Sequence, residues 1–382
     1  MVKINSHNEW DPLKEIVVGY GDARAGLIFP QQGPVSAELQ EKAKKLAREA
    51  FPQWLVDEIN GDLDGLCDVL RKSGAKVLRP KKPDDITFNI FATPYVSAAQ
   101  EHHYNTRDLN LVVGNTVIES PSQEKHRYFE AMGLYDVWYD YFKNHGGFKW
   151  ICGPKPALDG DYMINYYADG TAEYPDGQKY IKLADKEILF EAANTVRMGR
   201  DLLYLVSRSG NELGAQWLQS VLGGEYRVHT TDKIYRSSHI DSTALCLRPG
   251  LVLLNAHRVT PETCPKIFDS WEKIYFKDII KTPDSVVNFH KEVRLPIHQK
   301  LTKLGIQSSV DSIASDWIGI NVLSIDPNTV IVDERQVPLM ETLKKYGLTP
   351  VPISFRHSYY MGGIHCSTLD TVRDSKLESY CD

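Results

Sequence analysis

Residues 244–254, Ala-Leu-Cys-Leu-Arg-Pro-Gly-Leu-Val-Leu-Leu, place two apolar strands on either side of a Pro-Gly turn. The same pattern recurs at 109–119 around Gly-Asn and at 322–332 around Pro-Asn. Turn residues between runs of Val, Leu and Ile indicate buried hairpins. A second kind of segment is an amphipathic helix followed by a glycine and a short strand. It occurs at 66–79, 217–229 and 340–352.

The repeated order of strand, turn, strand, helix, glycine and strand predicts an α/β protein built from about five similar ββαβ modules. Residues 16–19 and 188–205 supply further hairpin members, and 146–185 is interpreted as a long irregular insertion. Modules that cannot bury a core alone can stack around an axis and so close their sheet edges, as propellers do. A doubly wound α/β sheet is the alternative. Because no linker-like stretch divides the chain, we predict one domain over 1–382.

The amino-acid composition restricts the kinds of molecule that this protein is expected to bind. The formal net charge of −6 disfavours nucleic acid, which requires a basic face, and suits a cationic small molecule. No apolar run reaches the roughly 18 residues of a membrane span, and the N-terminus has no signal-peptide pattern. The six cysteines include no Cys-x-x-Cys pair, which fits neither a zinc site nor a disulfide scaffold. We therefore predict a cytoplasmic protein without a metal and without a membrane partner.

Cys366 is the candidate nucleophile. It follows the glycines Gly362 and Gly363, which permit unusual backbone conformations and close approach of a substrate. A thiolate is the reactive form of cysteine, so a catalytic thiol needs a base or a cation nearby. Taken alone, this stretch is more typical of an inert buried cysteine than of a catalytic one.

Acidic residues and one histidine could complete such a site. His239 and Asp241 would point into one cavity if they lay on a strand, where alternate side chains share a face. The imidazole can shuttle a proton near neutral pH. Glu191 lies between an apolar run and small residues, where a carboxylate needs a partner, and it could orient His239. Asp108 is a second candidate carboxylate.

Two carboxylates facing one thiol suggest a guanidinium substrate. The planar guanidinium pairs with carboxylates through parallel hydrogen bonds, and its central carbon is an electrophile that a thiolate can attack. Arg258 and Ser315 could then bind an α-carboxylate at the far end of arginine. Individually, each of these residues is also consistent with ordinary surface or turn chemistry.

In chain order, these pieces resemble the arginine amidinotransferase family, within the guanidino-group-modifying superfamily. The resemblance spans essentially the whole chain. The matching stretches are 8–19, Arg107-Asp108, 154–156, 190–194 with 199–201, 238–241, 315–317 with 321–323, and 362–366.

This resemblance implies a five-bladed α/β propeller and a ping-pong transfer without a metal or organic cofactor. Cys366 would attack the guanidino carbon of L-arginine, and His239, paired with Glu191, would protonate the departing ornithine. An acceptor amine deprotonated by the same histidine would then collect the amidino group. Asp108 and Asp241 match the guanidino-binding carboxylates. Arg258 and Ser315 match the contacts to the donor carboxylate.

The sequence departs from the glycine-using members of the family at three places. Glu191 stands where those enzymes carry Asp, and Asn194 replaces a second Asp. Arg236-Ser237-Ser238 replaces an Asn-Pro-Met triplet that borders the acceptor site. Ser238 in place of methionine predicts a wider pocket for an amine larger than glycine. A polyamine suits an acidic chain better than an aminocyclitol phosphate does.

Two other functions are also consistent with the sequence. An arginine deiminase-like hydrolase would resolve the same thiol intermediate with water. A non-catalytic binding protein could use the same scaffold, although retention of the thiol, the histidine and three acids argues against it. The resemblance also makes a homodimer plausible.

Overall fold

The structure is a computed structural model, and it describes residues 3–22, 27–29, 35–81, 90–92, 97–99, 103–158, 163–165, 181–235, 239–308 and 317–381. The strands are β1 (Leu13–Val18), β2 (Leu27–Phe29), β3 (Lys76–Leu78), β4 (Ile90–Ala92), β5 (Ser97–Ala99), β6 (Asn110–Val113), β7 (Thr116–Glu119), β8 (Lys149–Cys152), β9 (Met163–Asn165), β10 (Ile181–Leu183), β11 (Thr195–Met198), β12 (Asp201–Leu205), β13 (Arg227–Thr231), β14 (Ala244–Arg248), β15 (Leu251–Asn255), β16 (Glu272–Phe276), β17 (Gln307–Ser308), β18 (Leu323–Asp326), β19 (Thr329–Asp333), β20 (Thr349–Ile353) and β21 (Thr368–Arg373). The α-helices are α1 (Ala37–Arg48), α2 (Gln53–Lys72), α3 (Tyr135–Asn144), α4 (Glu212–Leu222), α5 (Asp284–Lys303), α6 (Val337–Lys345) and α7 (Ser358–Met361).

Five three-stranded sheets share one topology, in which the first strand is antiparallel to the second and the second is parallel to the third. They are β21-β1-β3, β6-β7-β8, β11-β12-β13, β14-β15-β16 and β18-β19-β20. An α-helix connects the two parallel strands in each case except β15 to β16. The predicted ββαβ modules are therefore confirmed in four sheets, the sheet β14-β15-β16 lacks the helix, and the described strands do not form one doubly wound sheet.

The strands are apolar along their length because both of their faces are buried. Along β14, Ala244 and Cys246 pack with residues of β11 and β12, whereas Leu245 and Leu247 pack with Val330 and Val332 of β19. Successive side chains of a strand point to opposite faces, so a strand between two neighbouring sheets must be apolar throughout. First strands of neighbouring sheets also contact each other, as β21 does with β6 and β14 does with β11 and β18.

The predicted helix, glycine and strand segments are confirmed. Gly74 follows α2, Gly223 follows α4 and Gly347 follows α6, and each glycine has a φ between +68° and +91°. A left-handed residue closes a helix and turns the chain back along it, and glycine adopts that conformation without a steric penalty. The glycines therefore redirect each helix into the third strand of its sheet.

The prediction of an irregular insertion over 146–185 was wrong at its start. Residues 149–152 form β8, which pairs in parallel with β7. Trp150 packs edge-on against Tyr135 and Tyr139 of α3, so an aromatic cluster joins strand and helix. Residues 163–165 and 181–183 pair as β9 and β10, and the remainder of 159–180 lies outside the described residues. No helix in the described ranges combines the length and apolar character that crossing a bilayer requires.

Candidate active site

The predicted site residues occupy equivalent places in the repeated modules. Asp108 comes just before β6, Glu191 before β11, Asp241 before β14 and Cys366 before β21. The fifth such place, before β18, is held by Asn321. All five segments therefore reach the same end of their sheets, which is why residues so distant in sequence meet.

Hydrogen bonds connect these segments directly. The Arg107 amide donates to the Cys366 carbonyl at 3.4 Å, and the Ala192 amide donates to the Asp108 carbonyl at 2.6 Å. The Asn321 Nδ2 donates to the Asp241 carbonyl at 3.2 Å, while its Oδ1 accepts from the Cys366 amide at 3.1 Å. Backbone contacts of this kind fix the relative positions of the side chains that the segments carry.

Cys366 is buried, and its Sγ donates to Asp241 Oδ2 at 3.3 Å. Burial, together with the negative charges of Asp241 and Asp108, raises the pKa of the thiol well above its ordinary value. Burial opposes ionisation of Asp241, but the contact of His365 Nδ1 at 3.0 Å outweighs it and lowers the pKa of Asp241 to about 2. The resting site therefore holds a neutral thiol against an ionised carboxylate.

The glycines before Cys366 have a packing role in addition to the predicted backbone freedom. A Cβ on Gly363 would lie 2.3 Å from Asn321 Oδ1, and one on Gly362 would lie 2.6 Å from Asn105 Oδ1. Gly362 also has a φ of +125°, which L-residues rarely adopt. These glycines admit Asn321 and Asn105 against the loop that carries Cys366, which matches the contact of Asn321 with the Cys366 amide.

His239 is held between two acids. Its Nε2 hydrogen-bonds Glu191 Oε2, and its Nδ1 lies 3.7 Å from Asp108 Oδ1. Burial alone would lower the pKa of His239, but Asp108 and Glu191 outweigh it and raise this pKa to about 9. The predicted strand was wrong here, because Ile240–Ser242 form a 3₁₀ turn that begins at His239. His239 and Asp241 nevertheless face the same cluster.

Replacing Glu191 with glutamine should lower the pKa of His239, because the carboxylate that stabilises the imidazolium is removed. We expect the ring resonances of His239 in wild-type protein to titrate near pH 9 by NMR, and those of E191Q to titrate at lower pH. Glu58 forms the matched pair with His357, so E58Q should leave the His239 titration unchanged. Identical titration of His239 in wild-type and E191Q protein would contradict the assigned pairing.

Arg127 was missed by the sequence analysis. Its Nη1 donates to Glu191 Oε2 at 3.0 Å, and its Nη2 donates to Asp108 Oδ2 at 2.8 Å. Glu130 accepts from the same guanidinium through both oxygens at 2.6 Å, and Ser122 Oγ donates to Glu191 Oε1 at 2.6 Å. Only an indirect indication of Arg127 was available from the sequence. Several carboxylates that are buried together require a buried cation, but they do not identify it.

Arg258, predicted to bind the donor carboxylate, is buried next to this cluster. Its Nη1 donates to the carbonyl and Oγ of Ser242, the residue after Asp241, and its guanidinium stacks 3.7 Å from the Tyr235 ring centroid. Three other predicted substrate contacts lie outside the described residues; they are Ser315, Arg236 and Ser238. Within the described ranges, no group of three or more His, Cys, Asp or Glu side chains is arranged to hold a metal ion.

A buried thiol beside a carboxylate, with an acid-paired histidine nearby, is an arrangement that can support covalent chemistry on a cationic group. The comparisons identify the family of the chain. An inosamine-phosphate amidinotransferase of Streptomyces glaucescens is 36% identical over 100% of this chain and 99% of its own length. An L-arginine:L-lysine amidinotransferase of Pseudomonas savastanoi pv. phaseolicola is 32% identical over 98% of this chain and 96% of its own. The chain belongs to the amidinotransferase family.

Solved structures give the same picture. Inosamine-phosphate amidinotransferase of Streptomyces griseus has a TM-score of 0.77 and 35% identity, with 99% of each chain covered. A dimethylarginine dimethylaminohydrolase, 11% identical with a TM-score of 0.53 over 94% of this chain and 99% of its own, shares the fold. No protein-family model matches the chain. The fold is therefore that of the guanidino-group-modifying enzymes.

Proposed function

We propose that this amidinotransferase moves the amidino group of L-arginine to an amine larger than glycine through a covalent intermediate on Cys366. The observation that carries the proposal is the contact between Cys366 Sγ and Asp241 inside a buried cluster with Asp108, His239 and Glu191. A sulfur so placed is suited to attack a carbon whose cationic nitrogens are held by the neighbouring carboxylates.

Asp108 and Asp241 are suited to accept hydrogen bonds from the donor guanidinium. Asp108 Oδ1 is buried and makes no hydrogen bond within the described residues, and Asp241 is ionised. A guanidinium bound to both acids would add a positive charge beside Cys366. That charge offsets the two carboxylates that raise the pKa of the thiol, so substrate binding favours release of the thiol proton to solvent.

Transfer then proceeds through two displacements. The Cys366 thiolate forms a C–S bond to the guanidino carbon, and protonated His239 gives its proton to the departing nitrogen as the C–N bond breaks. Ornithine leaves, and a cationic amidino-thioether remains on Cys366. A neutral acceptor amine attacks the same carbon, His239 takes the proton of that amine, and the C–S bond breaks to regenerate the thiolate.

The acceptor is proposed from the residues before the histidine. The relatives are named for inosamine phosphate, lysine and, in a mitochondrial enzyme of Gallus gallus that is 31% identical over 99% of this chain and 84% of its own length, glycine. We keep a polyamine or another long specialised-metabolite amine as the proposed acceptor, with Arg236 and Ser238 bordering its pocket. Arg258 and Ser315 are proposed to bind the carboxylate of arginine.

The contacts that join the five segments before β6, β11, β14, β18 and β21 support a five-bladed propeller with the site on its axis. We propose a single catalytic domain over 1–382, working without a cofactor in the cytoplasm, either alone or as a homodimer.

Product analysis tests the function. The protein is incubated with arginine alone and then with spermidine, lysine, glycine or an inosamine phosphate. We expect ornithine to accumulate beyond one equivalent only when an accepted amine is present, because the amidino group must leave Cys366 before the next turnover. Citrulline formed at full rate without an amine would favour the hydrolase and contradict transfer.

A further inference from the structure

We propose that Arg127 is a positioning residue of the transfer reaction, which aligns Asp108 for the donor guanidinium and Glu191 for His239. This inference rests on the proposed function. It assigns a role to a side chain that contacts both acids and is itself separated from the reacting atoms by them.

The geometry gives Arg127 one nitrogen for each acid. Nη1 contacts Glu191 and Nη2 contacts Asp108, so the planar guanidinium fixes the distance between two carboxylates from different modules. Arg127 itself is held by Glu130, which accepts from Nε and Nη2. A lysine ammonium could balance the charge, but it has no rigid fork with which to span both acids.

Arg127 also selects which oxygen of Asp108 remains available. The contact at 2.8 Å occupies Oδ2, while Oδ1 is buried and makes no hydrogen bond within the described residues. His239 Nδ1 lies 3.7 Å from this oxygen, too far for a hydrogen bond, and a buried carboxylate oxygen without a hydrogen bond is costly unless a ligand supplies one. By holding Oδ2, Arg127 keeps Oδ1 oriented for the incoming guanidinium rather than free to rotate.

The same contact balances charge around the histidine. The charged groups that act on His239 are Asp108, Glu191 and Asp241, and Arg127 lies against the first two. With Glu130 included, Arg127 adds no net charge, yet its positive end faces the two acids beside His239. Loss of that end should therefore strengthen the hold of both acids on the imidazolium.

Three variants of the full chain separate position from charge. Arg127→Met removes the positive charge and the planar guanidinium. Arg127→Lys keeps the charge but not the guanidinium. Glu130→Gln keeps the guanidinium and removes the negative charge that pairs with it. Two readouts apply to each: arginine binding by calorimetry in a Cys366→Ala background, and NMR titration of His239. Circular dichroism and thermal unfolding confirm folding.

We expect R127M to weaken arginine binding at least about tenfold and to move the His239 titration to higher pH. R127K should return the titration toward the wild-type position without restoring the affinity. E130Q should move the titration to lower pH, because the positive end is then less compensated. E130Q and R127K keep the test decisive even where R127M does not fold.

Folded R127M with wild-type affinity and titration would overturn the proposal, and so would full rescue of the affinity by lysine. Failure of Cys366→Ala itself to bind arginine would contradict the proposed donor instead. The histidine titrations would still report on Arg127 in that case, so the two failures are distinguishable.

Discussion

Replacing Cys366 with serine should abolish amidino transfer, with a loss of at least about 10,000-fold, while arginine still binds. The loss is large because a serine hydroxyl has a much higher pKa than a thiol, and His239, whose pKa is raised to about 9, is already protonated near neutral pH and cannot act as its base. Asp241 is too weak a base, since its pKa is lowered to about 2. Binding persists because both carboxylates that would hold the guanidinium are unchanged.

Steady-state ornithine formation and calorimetric titration with arginine measure the two effects in the same protein. Mass spectrometry of wild-type protein quenched with arginine and no amine should find one amidino group on the peptide that contains Cys366. Cys152, an exposed free thiol, supplies the matched control, and C152S should retain full activity. Turnover by C366S near the wild-type rate would exclude Cys366 as the nucleophile.

Local patterns account for the part of the fold that sequence predicts well. The turns Pro249-Gly250 and Gly114-Asn115 lie between runs whose burial on both faces requires apolar residues, so the hairpins are readable from neighbouring positions alone. The segment at 149–152 was missed because its strand carries Lys, Trp and Cys. Its strand character comes from pairing with β7 and not from its own apolar pattern.

The residues of the candidate site likewise include some that the sequence predicts and one that it does not. Five residues could be proposed from the sequence because a thiol, an imidazole and carboxylates have known chemical roles in active sites. They are Cys366, His239, Glu191, Asp108 and Asp241. Arg127 could not be proposed, since its partners Asp108 and Glu191 are 19 and 64 positions away and an arginine in a polar segment is commonplace. The partners of an ion pair are fixed by the fold, so its members become identifiable only when the modules are assembled.

A buried network of charges near the first strands connects the site to the stability of the fold. Asp370 of β21 accepts from Arg107, Arg197 and Arg373, and Arg197 also donates to Glu9. Arg107 continues the network to the catalytic loop, where its Nε donates to the carbonyl of the residue before Cys366 at 3.1 Å. These contacts join β21 and β11, which belong to different sheets, to the segment that leads into β6.

Arg197→Met should therefore lower the free energy of unfolding by about 3–5 kcal/mol, because removing one partner leaves buried carboxylates uncompensated. Burial opposes ionisation of Glu9 and Asp370, but Arg197 outweighs it and holds the pKa of both well below their ordinary values of 4.5 and 3.8. A carboxylate whose pKa is lowered in the folded state stabilises the fold at pH values above its ordinary pKa. That stabilisation is lost as the pH falls toward the lowered pKa of the folded state. The difference between wild-type and R197M protein should thus be full near pH 7 and should shrink below about pH 4.

Urea unfolding at several pH values measures this difference. Arg71 provides the control, since it forms an exposed i,i+3 pair with Asp68, and R71M should cost at most about 1 kcal/mol. Equal losses in R197M and R71M would show that the Arg197 network contributes no more than a surface pair. A difference that grows on acidification would contradict the ionised state assigned to Glu9 and Asp370. A large, acid-sensitive loss would mean that the same buried charges stabilise the junction of the modules and hold the loop on which Cys366 lies.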